Sequence, residues 1–257
     1  MAIIQRWHTK QLDFALAFTQ APVEIDNLYM QVPRGFHVPG AMSDNDYVLK
    51  VQKNIYGQKQ AGRVWNKHLV SKLTSKAVGF TQSTVDECVF YRGRSVYVLY
   101  TDDSILAGPD ESELDRIIQD MITAGLKITV EGDISDFLGV QIERKPDGTI
   151  HLTQPHLIDQ ILQDLRVHGP DLATKSTPAK VGVALHRHTE SEPFDGHFNY
   201  RSVIGMANYL EKSTRSEIAY ALHQCARFSA DSRVEHGAAV KWLGRYLRAT
   251  RDKGLIF

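Results

Sequence analysis

The sequence predicts an α+β protein, with strand-patterned segments in roughly the first 150 residues and helical patterns in most of the rest. The stretch SVYVLYTDDSILAG, Ser95 to Gly108, is rich in β-branched, aliphatic and aromatic residues on both sides of two carboxylates, which indicates two strands joined by a tight turn. Helical spacing of apolar residues predicts helices in NYRSVIGMANYLEKS, EIAYALHQCARFSA and VEHGAAVKWLGRYLRAT. The chain has 257 residues, 42% hydrophobic and 23% charged, typical of a globular protein with one large or two small domains.

The elements before this hairpin are a strand, a turn and a helix. QLDFALAF, Gln11 to Phe18, begins as a short apolar strand with Asp13 near its start. YMQVPRGF follows and contains the turn residues Pro33 and Gly35. The segment from Ala61 to Ala77 has apolar residues at helical spacing and would present its lysines outward.

The elements after the hairpin begin with the clearest helical pattern of the chain, DESELDRIIQDMITAGLKIT. Asp110 is predicted to cap its N-terminus, and Gly125 to end it. Strands are predicted in KITVEG, DFLGVQIERK and TIHLTQ, and a helix from Pro155 to Leu165. Between about residues 169 and 196 the chain is rich in Pro, Thr, Ser and His, which predicts a linker.

Composition excludes several classes of protein. No apolar run approaches the ~20 residues of a membrane span, and the N-terminus has no secretory pattern, so we expect an intracellular protein without membrane partners. Two distant cysteines predict neither a disulfide framework nor a zinc site. The formal net charge is zero, but the segment from Lys50 to Lys76 is basic without one acid. Such a run is either a solvated face or a surface that grips a polyanion.

The adjacent carboxylates Asp102 and Asp103 have two interpretations from sequence. Aspartate is common in turns because its side chain accepts hydrogen bonds from nearby backbone N–H groups. Alternatively, two like charges held together raise each other's pKa unless a cation lies between them, and carboxylate oxygens suit Mg²⁺ or Mn²⁺. Asp13, in the predicted first strand, is the candidate third carboxylate.

A resemblance to a known family rests on a series of motifs in order. QLDFALAF, YMQVPRGF, NIYGQKQAGRVW, YTDD, FLGVQI, YRSVIGMANYL and GRYLRATRDKGL resemble the reverse transcriptase of copia-type retrotransposon polyproteins, over essentially the whole chain. The resemblance implies a right-hand polymerase palm, an antiparallel sheet backed by helices, in residues 1–150 with partial fingers. Residues 151–257 would then be a mostly helical region, thumb- or connection-like.

The resemblance implies RNA-directed DNA polymerisation with two Mg²⁺ or Mn²⁺ ions. Asp13, Asp102 and Asp103 would be the catalytic metal ligands, with Asp13 and Asp102 bridging the ions and Asp103 more peripheral. These ions would activate the primer 3′-hydroxyl and stabilise the leaving pyrophosphate. The substrates would be dNTPs and a primer annealed to an RNA or DNA template.

The same resemblance assigns residues to the nucleotide pocket. Phe18 would be the aromatic wall beneath the sugar that excludes a 2′-hydroxyl, unless it is an ordinary core residue. Phe14 would flank this pocket or belong to the core. Tyr56 and Gly57 would line the site of the nucleotide and templating base, where an aromatic face stacks and glycine permits close approach, or would form a plain turn.

Further residues are expected at the nucleic acid. Lys59 and Arg63 would contact phosphates or be simply solvated. Phe137, Leu138 and Gly139 resemble the primer grip, which steadies the primer terminus, and would equally suit an ordinary half-buried strand.

Departures from the family pattern set up a second expectation. The chain begins twelve residues upstream of Asp13, before which the family has a fingers segment, and it stops at GLIF, before the expected RNase H domain. Thr101, Gly62 and Ser216 replace a usual Val, Pro and Pro. The alternative function is therefore that of an N-terminally truncated, inactive remnant that still binds nucleic acid.

The resemblance also implies protein partners. These would be the rest of a Pol polyprotein, with integrase and RNase H, or a dimer partner. The expected location is a cytoplasmic virus-like particle or the nucleus.

Overall fold

The computed structural model describes residues 7–169, 172–187 and 190–257, which form two compact units. One unit ends at Ile134, and the other comprises Ser135–Phe257. The parts of the predicted fingers and linker that fall on residues 1–6, 170–171 and 188–189 lie outside the described residues. The functional boundary expected at residue 150 stays a prediction.

The first unit is built on a six-stranded antiparallel sheet. The strands in its described part are β1 (His8–Phe14), β2 (Tyr29–Gln31), β3 (Val48–Lys50), β4 (Thr81–Gln82), β5 (Val89–Arg92), β6 (Ser95–Tyr100), β7 (Asp103–Gly108) and β8 (Ile128–Gly132). β2 and β3 pair with each other, and the sheet has the order β4-β5-β6-β7-β1-β8. The predicted hairpin is confirmed as β6–β7, with β1 beside β7.

Helices pack against one face of this sheet. They are α1 (Ala17–Gln20), α2 (Ala61–Leu73) and α3 (Glu111–Thr123). Leu12 and Phe14 of β1 lie in one core cluster with buried residues of α2 and α3. Because side chains alternate along a strand, Asp13 points to the opposite face. The predicted cap is confirmed, since the Asp110 carboxylate accepts a hydrogen bond from the Ser112 N–H at 2.9 Å.

Two predicted boundaries in this unit are wrong. β1 begins at His8, upstream of the predicted start, so Asp13 lies near the end of its strand and not near its start. The helix predicted to reach Ala77 ends at Leu73. It ends there because the Ser75 N–H bonds to the Lys72 carbonyl, a tighter i→i−3 closure than the helical one.

The second unit combines a small antiparallel sheet with four helices in its described part. The elements are β9 (Asp136–Phe137), β10 (Val140–Arg144), β11 (Ile150–Thr153), α4 (Pro155–Asp164), α5 (Tyr200–Ser213), α6 (Ala219–Ala226), α7 (Val234–Ala249) and β12 (Leu255–Ile256). The sheet has the order β12-β11-β10-β9. Buried side chains of α4 to α7 form the core of this unit, as the helical spacing predicts.

One segment of this unit that is predicted as a single strand forms two strands joined by a tight turn. DFLGVQIERK divides into β9 and β10, and Phe137 pairs with Val140 across a two-residue turn. Leu138 and Gly139 have positive φ angles of 53° and 74°. This is the combination that a tight hairpin turn of the primed type requires, and glycine adopts it without steric cost.

The predicted linker packs against the core of the second unit. Its described residues between 169 and 196 form no helix or strand, apart from an isolated bridge between Pro193 and Arg233. Its side chains Leu172, Ala179, Leu185 and Phe194 nevertheless contact the buried cluster of the helices. Because these four side chains pack on the core, the segment is anchored at these positions.

A buried arginine organises the end of the chain. Arg215 is only 1% exposed. It donates hydrogen bonds to the Glu217 carboxylate (2.7 Å) and to the Thr250 carbonyl (2.9 Å) and hydroxyl (2.6 Å). A buried guanidinium is tolerated when its donors are paired in this way. Arg215 thus joins the 3₁₀ turn Ser216–Ile218 to the end of α7.

Candidate active site

Two of the three predicted catalytic carboxylates face each other across adjacent central strands. Asp13 of β1 is the register partner of Asp103 of β7, and Asp102 lies in the turn just before β7. Side chains directly opposite on antiparallel strands share a face, with Cβ atoms about 4.5–5.5 Å apart. Like charges in that position repel each other unless a counter-charge lies nearby.

The turn that carries Asp102 has an unusual backbone. Tyr100 pairs with Asp103, so Thr101 and Asp102 form a two-residue loop, and Thr101 has a φ of 59°. A positive φ is rare for a β-branched residue and costs about 1–3 kcal/mol. Such a conformation persists only where surrounding contacts determine it.

Two hydrogen bonds hold this turn from different sides. The indole Nε1–H of Trp65, on α2, donates to the Thr101 carbonyl at 2.8 Å. The buried Ser104 hydroxyl donates to the Leu12 carbonyl at 3.1 Å, which fastens the start of β7 to β1. The turn is therefore anchored both to a helix and to the strand of Asp13.

The donor chemistry of the three aspartates fits Mg²⁺ or Mn²⁺, because these hard cations prefer carboxylate oxygens. Within the ranges that the structure describes, however, no group of three or more His, Cys, Asp and Glu side chains is placed to hold a metal ion. The strands bring the backbone positions of Asp13 and Asp103 together, while convergence of all three carboxylates stays a prediction.

The predicted nucleotide residues divide into a surface pair and a core residue. Phe18 is half-buried, and its ring centroid lies 4.6 Å from that of Tyr56, with the ring planes at 46°. Tyr56 is 55% exposed, and the neighbouring Gly57 has a φ of 91° with open space around it. Phe14, in contrast, is 2% exposed and packs against Trp65 in the core.

Two polar side chains that sequence analysis missed position this aromatic pair. The Gln20 amide donates to the carbonyls of Ala15 (2.9 Å) and Lys127 (3.0 Å) and accepts from the Lys127 N–H (2.8 Å), which fixes α1 and with it Phe18. The buried Asn54 amide donates to the Ala21 carbonyl at 3.2 Å, which holds the segment leading to Tyr56 against the end of α1. The bonds of Gln20 to Lys127 and of Asn54 to Ala21 have no sequence signal, because they join parts of the chain that are far apart in sequence.

The predicted phosphate contacts lie on and beside α2. Arg63 donates to the Glu24 carboxylate at 2.5 Å, and Lys67 lies 3.4 Å from the same group. The Arg63 guanidinium lowers the pKa of the Glu24 carboxyl. Because these side chains are more than one-third exposed, the ion pairs are worth little, and an incoming phosphate can compete for the arginine. Lys59 is exposed and lies two residues before the start of this helix.

The residues predicted as a primer grip form the tip of the β9–β10 hairpin in the second unit. Leu138 and Phe137 are half-buried, and Gly139 is exposed. The Tyr209 hydroxyl, on α5, donates to the Leu138 carbonyl at 2.5 Å. Helix α5 therefore braces the turn, a contact that the sequence does not indicate because Tyr209 is on a largely exposed helical face.

The fold and the facing carboxylates are consistent with a reverse transcriptase domain, and sequence comparison supports this class. The family model described as reverse transcriptase (RNA-dependent DNA polymerase) matches residues 1–180. The chain belongs to this family, as the motifs predict. In the described residues, no helix combines the length and apolar character needed to cross a membrane.

The relatives are named as proteins of transposons. The chain is 31% identical over its whole length to the retrovirus-related Pol polyprotein from transposon RE1 of Arabidopsis thaliana and covers 17% of that protein. It is 30% identical, over 96% of its length, to the Pol polyprotein from transposon TNT 1-94 of Nicotiana tabacum, of which it covers 19%. A putative transposon Ty5-1 protein of Saccharomyces cerevisiae is 26% identical over 96% of the chain and 78% of its own length. The chain thus spans less than a fifth of the two Pol polyproteins.

Proposed function

We propose that this chain is the RNA-directed DNA polymerase part of a copia-type retrotransposon Pol protein. The observation that carries the proposal is the register pair of Asp13 and Asp103, with Asp102 in the adjoining turn, in a chain of the reverse transcriptase family. The six-stranded sheet backed by α2 and α3 would be the palm of a right-hand polymerase. Residues 1–150 would hold this palm with partial fingers, and residues 151–257 the thumb- or connection-like region.

The three carboxylates have distinct proposed roles. Asp13 and Asp102 would bridge two Mg²⁺ or Mn²⁺ ions, and the more exposed Asp103 would be a peripheral ligand. Bound there, the ions would supply Lewis-acid activation of the primer 3′-hydroxyl and stabilisation of the leaving pyrophosphate. Asp13 and Asp103 are register partners, and a cation held between them would offset the repulsion between their charges.

The remaining residues would bind and orient the substrates. Phe18 would close the space beneath the sugar, and Tyr56 and Gly57 would bound the nucleotide and templating base. Lys59 and Arg63 would contact phosphates. Phe14, which packs against Trp65 in the core, would support this surface from below.

The proposal also covers the residues that hold the primer terminus and the proteins with which the chain would work. Phe137, Leu138 and Gly139 would steady the primer. Two of the relatives are named as Pol polyproteins, so we propose that the chain works with the rest of such a protein, including integrase and RNase H, or with a dimer partner. Its site of action would be a cytoplasmic virus-like particle or the nucleus.

Primer extension tests this function directly. A labelled DNA primer annealed to RNA is incubated with the chain, four dNTPs and Mg²⁺, and a parallel sample contains excess EDTA. We expect extension that EDTA abolishes. Salt-dependent binding of the duplex without any incorporation would instead support the alternative of an inactive remnant.

The brace between α5 and the primer-grip turn gives a second prediction. Tyr209→Phe removes one hydrogen bond to the Leu138 carbonyl, worth about 1 kcal/mol, so we expect the primer terminus to dissociate about fivefold faster during extension. Processivity in the presence of a heparin trap measures this rate. Tyr220→Phe, a loss of hydroxyl from an exposed tyrosine of α6, is the matched control. Equal processivity of the two variants would contradict a role for this brace.

A further inference from the structure

Trp65 contacts the neighbours of two proposed metal ligands. It is 1% exposed, lies in the second turn of α2, and donates its indole N–H to the carbonyl of Thr101, which precedes Asp102. Its ring also meets Phe14, the residue after Asp13, edge to face with centroids 5.1 Å apart. One rigid side chain thus reaches both carboxylate-bearing strand ends through their adjacent residues.

The hydrogen bond of Trp65 falls on the strained peptide of the site. A buried indole N–H needs an acceptor, and here that acceptor is the carbonyl of the residue with a φ of 59°. The turn itself is exposed at Thr101 and half-buried at Asp102, so core packing does not hold it. The 2.8 Å bond from α2 therefore supplies an external constraint on the orientation of the Thr101–Asp102 peptide.

We propose that Trp65 is a positioning residue that fixes the Thr101–Asp102 peptide, from which the Asp102 carboxylate would reach the divalent ion. The proposal rests on the proposed function, because it assigns Trp65 to the same metal site. Trp65 itself touches neither metal nor substrate. It acts through the Thr101 carbonyl, and its contact with Phe14 keeps the strand of Asp13 in register with the turn.

Mn²⁺ binding provides a test that does not require polymerase activity. Free Mn²⁺ is measured by electron paramagnetic resonance during titration of the full chain. Trp65→Phe keeps an aromatic ring but removes the donor, and we expect Mn²⁺ affinity to fall at least about tenfold, as when a group that orients a metal ligand is lost. Trp242→Phe is the matched control, because it removes an indole bond to the Thr177 carbonyl of 2.9 Å in the second unit and should leave Mn²⁺ affinity unchanged.

Hydrogen exchange tests the positioning role without metal. In Trp65→Phe the amides of residues 101–104 should exchange faster than in the unaltered chain, while Trp242→Phe leaves them unchanged. If Trp65→Phe does not fold, the isosteric benzothienyl-alanine analogue at position 65, with sulfur in place of the N–H, retains the shape and removes the donor.

The outcomes separate this inference from the proposed function. Asp102→Asn should abolish specific Mn²⁺ binding, and if it leaves the affinity unchanged, the metal site fails whatever Trp65 does. If Asp102→Asn abolishes binding while Trp65→Phe changes neither Mn²⁺ affinity nor exchange at residues 101–104, the positioning role is overturned. A lower melting temperature of Trp65→Phe with unchanged affinity would likewise reduce Trp65 to a packing role and overturn the proposal.

Discussion

Replacing Asp102 with asparagine is expected to lower the rate of nucleotide incorporation at least about a thousandfold. The amide keeps the size of the side chain but loses the negative charge, and a factor of 10³ corresponds to about 4 kcal/mol of transition-state stabilisation. Single-turnover primer extension with saturating Mg²⁺ measures the effect. Binding of the primer–template should persist, because the phosphate contacts come from other residues.

The control for this prediction is Asp26→Asn, which removes one charge from an exposed loop aspartate of the same unit. Its incorporation rate should match that of the unaltered chain. If Asp102→Asn incorporates nucleotides at a comparable rate, Asp102 is excluded as a catalytic metal ligand. Asp103→Asn provides a graded comparison, since a peripheral ligand should cost less than a bridging one.

Replacing Phe18 with alanine is expected to reduce the preference for deoxynucleotides over ribonucleotides about 100-fold. The half-buried ring lies against Tyr56, and its removal opens the space in which a 2′-hydroxyl would fit. The ratio of kcat/KM for a deoxynucleotide to that for the matching ribonucleotide measures the change. The ribonucleotide value should rise, while the deoxynucleotide value changes less.

Phe36→Ala is the matched control, because Phe36 is 49% exposed in a loop and loses the same ring. It should leave the nucleotide preference unaltered. An unchanged ratio in folded Phe18→Ala would return Phe18 to the core interpretation that the sequence left open.

The sequence predicts which strands and turns hold the residues of the candidate site, but it does not predict the contacts that orient those residues. The strand pattern around Asp102 and Asp103 indicates a hairpin tip, and the structure confirms it. The bond from Trp65 to Thr101 gives no comparable signal, because an apolar residue in a helical pattern indicates burial alone. The sequence does not indicate the hairpin at Leu138 for a similar reason, because the apolar residues continue through the turn and Gly139 is its one turn residue.

Strand β12 makes the folding of the second unit depend on residues 255–257. Leu255 pairs with Leu152, and Phe257 exchanges backbone hydrogen bonds with Ile150, although these partners are far apart in the sequence. Gly254 permits the close approach, because a Cβ there would lie 1.9 Å from the Leu152 carbonyl oxygen. During synthesis on the ribosome, the edge of β11 that faces β12 is therefore unpaired at first. It stays unpaired until helices α4 to α7 have been translated. Long-range closure of this kind is slow, so the nascent chain passes through a stage in which that edge is open to chaperones or to other strands.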